Sequence, residues 1–285
     1  MNKIYRFAIL IAIMASCSQQ EPVNQTKNYE SKINVLNQTF DAAVSFSFGN
    51  FKEQLTKTGK NQINYNQKQS IAATLKSLDG KYFIGKSFNY NLIADNFPSV
   101  NLPEVTANGK IQDFDINQYS FYSKEQKELS GPFLELLINV SDPKDVASLS
   151  IDFNDKIANS KLNEDEKFEL FALSSVSNSL AKFLTNGGVD VIYAALSEKL
   201  NSEINGGRMQ GCSVNWRNVW LGGVVGFFGG GAAGAYTGCT GGTVVLPGVG
   251  TAAGCVGGAV LGAAGGFIGA SVSGVASELL GSCFR

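Results

Sequence analysis

The amino-acid sequence predicts a mainly α protein, in which a helical N-terminal domain is followed by a glycine-zipper helical hairpin of the transmembrane type. Two observations support this prediction. Within residues 31–205, apolar positions recur every three or four residues, the spacing of one buried face on an amphipathic helix. Residues 219–285 instead carry long runs of glycine at every fourth position, and residues 218–277 contain no Asp, Glu, Lys or Arg.

Two helices of the N-terminal domain have the clearest patterns. The stripe of the first, over residues 31–55, is interpreted as a core face and not as a ligand groove; its members are Ile33, Leu36, Phe40, Val44, Phe48, Phe51 and Leu55. The second begins after Asn163, because Asn163 and Glu166 have the spacing of a capping box. Its apolar face ends before Gly187-Gly188. Residues 81–104 are compatible with short strands or with an extended loop.

The composition excludes several classes of enzyme. The chain has no histidine, which removes Ser-His and Cys-His catalytic pairs and histidine metal ligands. It also lacks a P-loop and a GxSxG motif. The acidic run Glu164-Asp165-Glu166 is explained by the first turn of a helix. We therefore predict no enzyme activity, cofactor or metal site, and the net charge of −1 predicts no binding to nucleic acid.

The N-terminus has the layout of an export signal. Lys3 and Arg6 precede an apolar run over residues 7–14, which is too short to span a bilayer. The sequence Met14-Ala15-Ser16-Cys17 that follows resembles the lipobox of bacterial lipoproteins. That resemblance implies lipidation of Cys17, which would become the first residue of the exported chain. The alternative is an ordinary signal cleaved near Ser16.

With the export signal placed, the predicted layout of the chain is complete. The chain divides into a signal peptide (1–16), a polar tether (17–30), the helical domain (31–205), a linker or interfacial segment (206–218) and the hairpin (219–285). Such a protein is exported and held by its lipid in the cell envelope, at the outer membrane or the cell surface, and the tail is released if it is cleaved.

The glycine runs predict two helices that pack backbone to backbone. Positions four residues apart stack along one side of a helix, so each run makes a groove without side chains, and such grooves drive helix association in lipid. Each run extends over about 20 residues, enough to cross a bilayer. The predicted partners are therefore a lipid bilayer and, through the grooves, further copies of the chain. The packing residues are Gly222, Gly226, Gly230, Gly234, Gly238 and Gly242 in the first run, and Gly250, Gly254, Gly258, Gly262, Gly266 and Gly274 in the second.

Apart from Cys17, the chain has four cysteines, and all of them lie in the tail. An even number of cysteines in an exported chain predicts disulfides, here two. Folding the tail back at Pro247 places Cys239 level with Cys255 and Cys212 level with Cys283. These pairs are predicted, although the other two connectivities stay open. Trp216, Arg217 and Trp220 stand where an interfacial belt is expected.

The segment before the tail resembles the double-glycine leader of class II bacteriocins. Leu196 and Ser197, the aliphatic Ile204 and the final pair Gly206-Gly207 match that leader in register. The Gly/Ala-rich tail, residues 208–285, resembles the mature part of membrane-permeabilising bacteriocins of the two-peptide type. The resemblance implies cleavage after Gly207 and a tail that permeabilises a membrane. The alternative is that Gly206-Gly207 only stops a helix and begins a flexible linker.

The tail is also similar to bacterial outer-membrane lipoproteins that carry a glycine-zipper two-helix domain. This second resemblance implies a structural, non-toxic component of the cell envelope, anchored by the hairpin. The sequence therefore predicts a bacteriocin-like membrane-active lipoprotein, with the envelope lipoprotein as the alternative.

Overall fold

The computed structural model describes residues 22–57, 72–76, 84–85, 115–194, 214–241, 244–246, 250–252 and 254–283. Its longer helices are α1 (Pro22–Lys57), α2 (Lys124–Ile138), α3 (Val146–Ala158), α4 (Glu164–Phe183), α5 (Trp216–Gly241) and α6 (Gly254–Cys283). The strands are β1 (Ile84–Gly85), β2 (Val244–Leu246) and β3 (Gly250–Ala252). The predicted fold class is confirmed: the protein is mainly helical and ends in a helical hairpin.

Helix α1 buries the stripe that the sequence predicts. Leu36, Phe40 and Val44 are fully buried, and Phe48 and Phe51 are almost so. The interpretation of this stripe as a core face is therefore correct. The helix begins at Pro22, inside the stretch predicted as a polar tether. Proline suits the first helical position, since its ring fixes φ and it has no N–H to leave unpaired.

Helices α2 and α4 begin at capping boxes. Ser123 accepts a hydrogen bond from the backbone N–H of Gln126, whose side chain accepts one from the N–H of Ser123. Asn163 and Glu166 make the same reciprocal pair, with both N···O distances at 3.0 Å, as the sequence predicts. Each box satisfies backbone donors that the first helical turn leaves without partners.

Helix α4 lies at the centre of the N-terminal domain and is buried along most of its length. It packs against α1, α3 and α6. Its end is a π-helical turn, Leu184–Gly188, in which Gly187 has a φ of +85°. Glycine adopts this left-handed conformation without steric cost, so the predicted stop at Gly187-Gly188 is present as a kink. The chain is helical again over residues 189–194.

Three short strands form an antiparallel sheet in the order β1-β2-β3. Strands β2 and β3 pair across the turn between α5 and α6, with Leu246 opposite Gly250. Strand β1 comes from the N-terminal domain and pairs with β2 through Ile84 and Gly85. The N-terminal domain is thus attached by backbone hydrogen bonds to the tip of the hairpin.

The buried side chains of the described residues form one hydrophobic cluster. It joins Leu36 on α1 and Phe171 on α4 to Phe227 on α5 and Leu261 on α6. The hairpin therefore lies inside the fold, in contact with α1, α2 and α4. We call these three helices, together with residues 72–76, 84–85 and 119–122, the sheath.

Replacing the N-cap of α4 tests the helix start that the sequence predicts. Asn163→Ala removes the side-chain acceptor of the Glu166 N–H, and we expect the free energy of unfolding to fall by about 1 kcal/mol. Chemical denaturation followed by circular dichroism measures this change. Asp152→Ala, at an exposed position of α3, is the control and should change stability by less than about 0.5 kcal/mol. Equal effects of the two variants would contradict the capping role.

Candidate membrane-insertion site

The glycines of α5 and α6 face each other in antiparallel register. A Cβ atom built on Gly234 would overlap the carbonyl of Gly258 and lie 2.9 Å from the Cα of Gly262. A Cβ on Gly238 would lie 2.9 Å from the Cα of Gly258, and one on Gly226 would lie 2.9 Å from the Cβ of Ala270. Real Cβ atoms do not approach other atoms so closely, so the two helices touch through their backbones and only glycine fits there.

Except for Gly250, the other predicted packing residues divide into three groups. Gly230, Gly254 and Gly266 supply the carbonyls that lie against the opposite helix, at Gly262, Gly238 and Gly226 respectively. Gly222 is buried on α5, and a Cβ on Gly274 would lie 3.2 Å from the Cα of Val219. Gly242 lies outside the described residues.

The prediction for Gly250 is wrong. Gly250 is not part of a zipper helix; it lies in β3, and α6 begins only at Gly254. The period of four continues through this position in the sequence, but the chain reverses direction at the tip, and residues near the reversal pair as strands. Periodicity alone does not mark the point at which a helix gives way to a turn.

The structure contains the disulfide predicted between Cys239 and Cys255. Their Cα atoms are 4.2 Å apart, and the bond connects α5 to the start of α6 beside the contact between Gly238 and Gly254. Cys212 lies outside the described residues, as does the side chain of Cys283, so the Cys212–Cys283 pair stays a prediction. Cys17 and the Gly206-Gly207 cleavage site also lie outside the described residues.

The hairpin has the length and composition of a membrane-spanning pair. Trp216–Cys239 and Gly254–Leu279, of 24 and 26 residues, are apolar enough to cross a membrane. Yet in the most apolar window of each helix, 78% and 94% of the residues are buried inside the protein. Core helices of water-soluble proteins are also long, apolar and mostly buried. The two helices are therefore long and apolar enough to span a bilayer, while in this structure they form part of the core.

The sheath covers the outer surface of the hairpin with aromatic and aliphatic side chains. The ring of Tyr122 packs edge-on against Phe228 at a centroid distance of 4.8 Å, and Tyr119 packs against the same ring at 5.8 Å. The Tyr122 hydroxyl occupies the space that a side chain at residue 231 would fill, and Leu75 does the same at residue 265. Gly231 and Gly265, which lie outside the zipper, therefore receive side chains of the sheath.

Of the three residues predicted to form an interfacial belt, Trp216, Arg217 and Trp220, only Trp220 is withdrawn completely from the surface of this structure. Trp220 is 0% exposed and belongs to the core, whereas Trp216 and Arg217 are partly buried. Within the described residues, the indole N–H of Trp220 and the Nε of Arg217 are buried without a hydrogen-bond partner. A buried unpaired donor costs about 1–3 kcal/mol. In the folded chain these two polar groups near the start of α5 therefore have no partner in the described part of the fold.

A buried carboxyl group, Glu169, lies next to the contact between sheath and hairpin. It is 6% exposed, accepts a hydrogen bond of 2.8 Å from Gln126 on α2, and lines a cavity of about 500 Å³ that Val256 of α6 also lines. Burial raises its pKa from 4.5 to about 7, and the charges of Asp165 and Glu166 add to this rise, while the Gln126 hydrogen bond opposes it. Nothing in the sequence pattern singles out Glu169, because it stands in a helix of otherwise ordinary periodicity.

The acidic residues at the start of α4 have structural partners. Glu164 accepts hydrogen bonds from Tyr29 and from Lys32 on α1, and Glu166 completes the capping box. Among the described residues, no cluster of three or more acidic or cysteine side chains has the geometry to hold a metal ion. The acidic run therefore joins α4 to α1 and stabilises the helix start.

Comparison with known proteins found no matching family model, no matching curated protein and no matching solved structure.

Substituting one zipper glycine tests the backbone contact. Gly234→Ala places a methyl group against Gly258 and Gly262, so we expect the free energy of unfolding to fall by about 1–3 kcal/mol. The control is Gly49→Ala in α1, where a Cβ meets nothing within 4 Å. That change should raise stability by about 0.5–1 kcal/mol, since alanine favours a helix more than glycine does. If Gly234→Ala also stabilised the chain, the zipper contact would be refuted.

The raised pKa of Glu169 predicts a dependence of stability on pH. The pKa of Glu169 is about 7 in the folded chain and 4.5 in the unfolded chain. The contribution of Glu169 to the free energy of unfolding is therefore complete below pH 4.5 and is lost as the pH rises through 7. Glu169→Gln stays neutral and should be more stable than the parent by about 1–3 kcal/mol at about pH 8, with no gain at about pH 4. Denaturation at the two pH values, with Glu135→Gln as the exposed control, measures the difference. A gain that is independent of pH would argue against titration of Glu169.

Proposed function

We propose that this protein is a bacteriocin-like, membrane-active lipoprotein. Its N-terminal helices keep the α5–α6 hairpin covered, and once released the hairpin inserts into a bilayer and permeabilises it. The observation that supports this most strongly is that the two helices able to span a membrane are largely buried inside the fold. A hairpin of this composition exposed to water would aggregate, so a protein that is to deliver it needs a cover.

The sheath and a bilayer would occupy the same surface of the hairpin. The zipper glycines pack between α5 and α6, so only the outer faces of the two helices can contact lipid. Those faces carry Phe228 and Ile268, which the described part of the fold buries. Insertion therefore requires that the sheath leave first, and the covered and inserted states exclude each other.

The start of α5, with Arg217 and Trp220, favours the inserted state. Tryptophan and arginine are stable at a membrane interface, where their polar groups reach water or headgroups while their apolar parts stay in the hydrocarbon. In the covered state the indole N–H of Trp220 and the Nε of Arg217 have no partner among the described residues. Transfer to an interface would supply both groups with hydrogen bonds.

Release is assigned to the leader-like segment. Cleavage after Gly207 would cut the covalent connection between the sheath and α5, so that only non-covalent contacts hold the hairpin in place. The export signal and the lipid on Cys17 would bring the chain to the envelope. Once inserted, the outer faces of several hairpins, and not the filled zipper grooves, would be available for contacts between copies.

The second candidate function is a non-toxic structural lipoprotein of the cell envelope. The lipobox-like sequence ending at Cys17 favours it, because a lipid anchor already attaches the chain to a membrane. In that case the lipid on Cys17, and not the hairpin as the resemblance implies, would anchor the chain, and the hairpin would stay in the core and stabilise the fold.

Vesicle leakage after controlled cleavage distinguishes the two functions. A recognition sequence for a site-specific protease is inserted between Gly207 and Arg208, and the unlipidated chain from Ser18 is added to vesicles that contain a trapped dye. We expect little release from the uncut chain and at least ten times more after cleavage, because cleavage frees the hairpin from its cover.

Two glycine variants provide matched controls for this experiment. Gly258→Leu forces the zipper helices apart and should abolish most of the release, whereas Gly49→Leu on the exposed side of α1 should retain it. A cut chain that stays in solution and releases no dye would refute the membrane-active function and favour the structural lipoprotein.

A further inference from the structure

The charged groups of the hairpin lie at one end only. Arg217 lies in the first turn of α5 and Glu278 near the end of α6, and no charged residue stands between them in the sequence. At this end Glu278 accepts hydrogen bonds from the Asn218 side chain and from the backbone N–H of Asn215. We call this polar end the base of the hairpin; the chain enters α5 and leaves α6 there.

The opposite end, formed by β2 and β3 and called the tip, has no charged residue. Its backbone is partly satisfied internally, because Val244, Val245 and Leu246 pair with Ala252, Thr251 and Gly250. The Cys239–Cys255 disulfide joins the two helices just before the tip. The tip is therefore a closed, uncharged loop that can move without separating α5 from α6.

We propose that the hairpin enters the bilayer tip first, so that β2 and β3 reach the far side while the base and its flanking segments stay on the side of entry. This inference rests on the proposed membrane-active function. Charged side chains resist passage through hydrocarbon, and Arg217 and Glu278 would both have to cross if the base went first. The tip strands, by contrast, are paired with each other, so part of their backbone N–H and C=O groups stay hydrogen-bonded during the crossing.

The lengths of the helices allow the tip to reach the far side. The apolar parts of α5 and α6 contain 24 and 26 residues, which at about 1.5 Å per residue exceed the hydrocarbon thickness of about 30 Å. The tip is also held by a short attachment: within the described residues, β1 pairs with β2 through two residues, Ile84 and Gly85. Loss of this ladder removes the backbone pairing between tip and sheath.

Digestion from inside vesicles tests the direction of insertion. Vesicles are loaded with a protease that cleaves before Val, Leu, Ile and Phe, freed of external protease by gel filtration, and mixed with the chain that carries the release site, which is then cut. We expect the trapped protease to cleave the hairpin at the tip, between residues 244 and 249, and to leave residues before 217 intact. Mass spectrometry identifies the fragments, and pelleting verifies that the protease stays inside.

Dye release measured in the same sample separates the two proposals. Release with no cleavage at the tip, or with cleavage before residue 217, would overturn tip-first insertion and leave the membrane-active function standing. Absence of release would overturn the membrane-active function itself.

A pair of lysine variants tests the same inference by charge. Thr251→Lys adds a charge at the tip that has to cross the bilayer, and Ser282→Lys adds the same charge at the base. We expect dye release to fall at least ten-fold for the tip variant and less than two-fold for the base variant. Circular dichroism and thermal melting before vesicle addition verify that both are folded. Equal losses in two folded variants would overturn tip-first insertion.

Discussion

The contact between the backbones of α5 and α6 is the constraint on which the rest of the structure depends. Gly234 and Gly238 lie against Gly258 and Gly262 so closely that no side chain fits between the helices. Glycine lowers helix stability by up to about 1 kcal/mol per residue relative to alanine, so these helices depend on packing for their stability. Their close approach also determines which faces remain outside, and those faces are the ones that the sheath covers.

Under the proposed function, the folded protein and a bilayer compete for one surface of the hairpin. In the folded chain Tyr122, Tyr119 and Leu75 supply the apolar contacts that a bilayer would otherwise provide. Buried Glu169, whose pKa is raised to about 7, lies close to this boundary and loses its proton as the solution becomes neutral. Ionisation of Glu169 therefore makes the folded, covered state less stable at neutral and alkaline pH.

Much of the fold follows from the sequence because local chemistry determines it. The stripe from Leu36 to Phe51 and the capping box at Asn163 depend on side-chain spacing within one helix, and both are present in the structure. The pairing of Cys239 with Cys255 follows from a chain that reverses near Pro247. The helical hairpin itself is predicted by the repeat of glycine.

The remaining features depend on contacts between distant segments, which no local pattern records. The burial of Trp220 results from packing against other elements, although its place beside Arg217 is typical of a membrane interface. Gly250 keeps the period of four but lies in a strand, because the chain turns there. The burial of Glu169 depends on its surroundings in the folded chain, which the sequence around it does not reveal.

The lack of charge along the hairpin also determines how the protein responds to digestion. Trypsin cleaves after lysine and arginine, and neither residue occurs between Arg217 and Arg285. Complete tryptic digestion of the unfolded chain therefore leaves residues 218–285 as one large apolar peptide, closed on itself by the Cys239–Cys255 bond. Peptide surveys that depend on trypsin would recover the N-terminal domain and miss the hairpin, whatever the abundance of the protein.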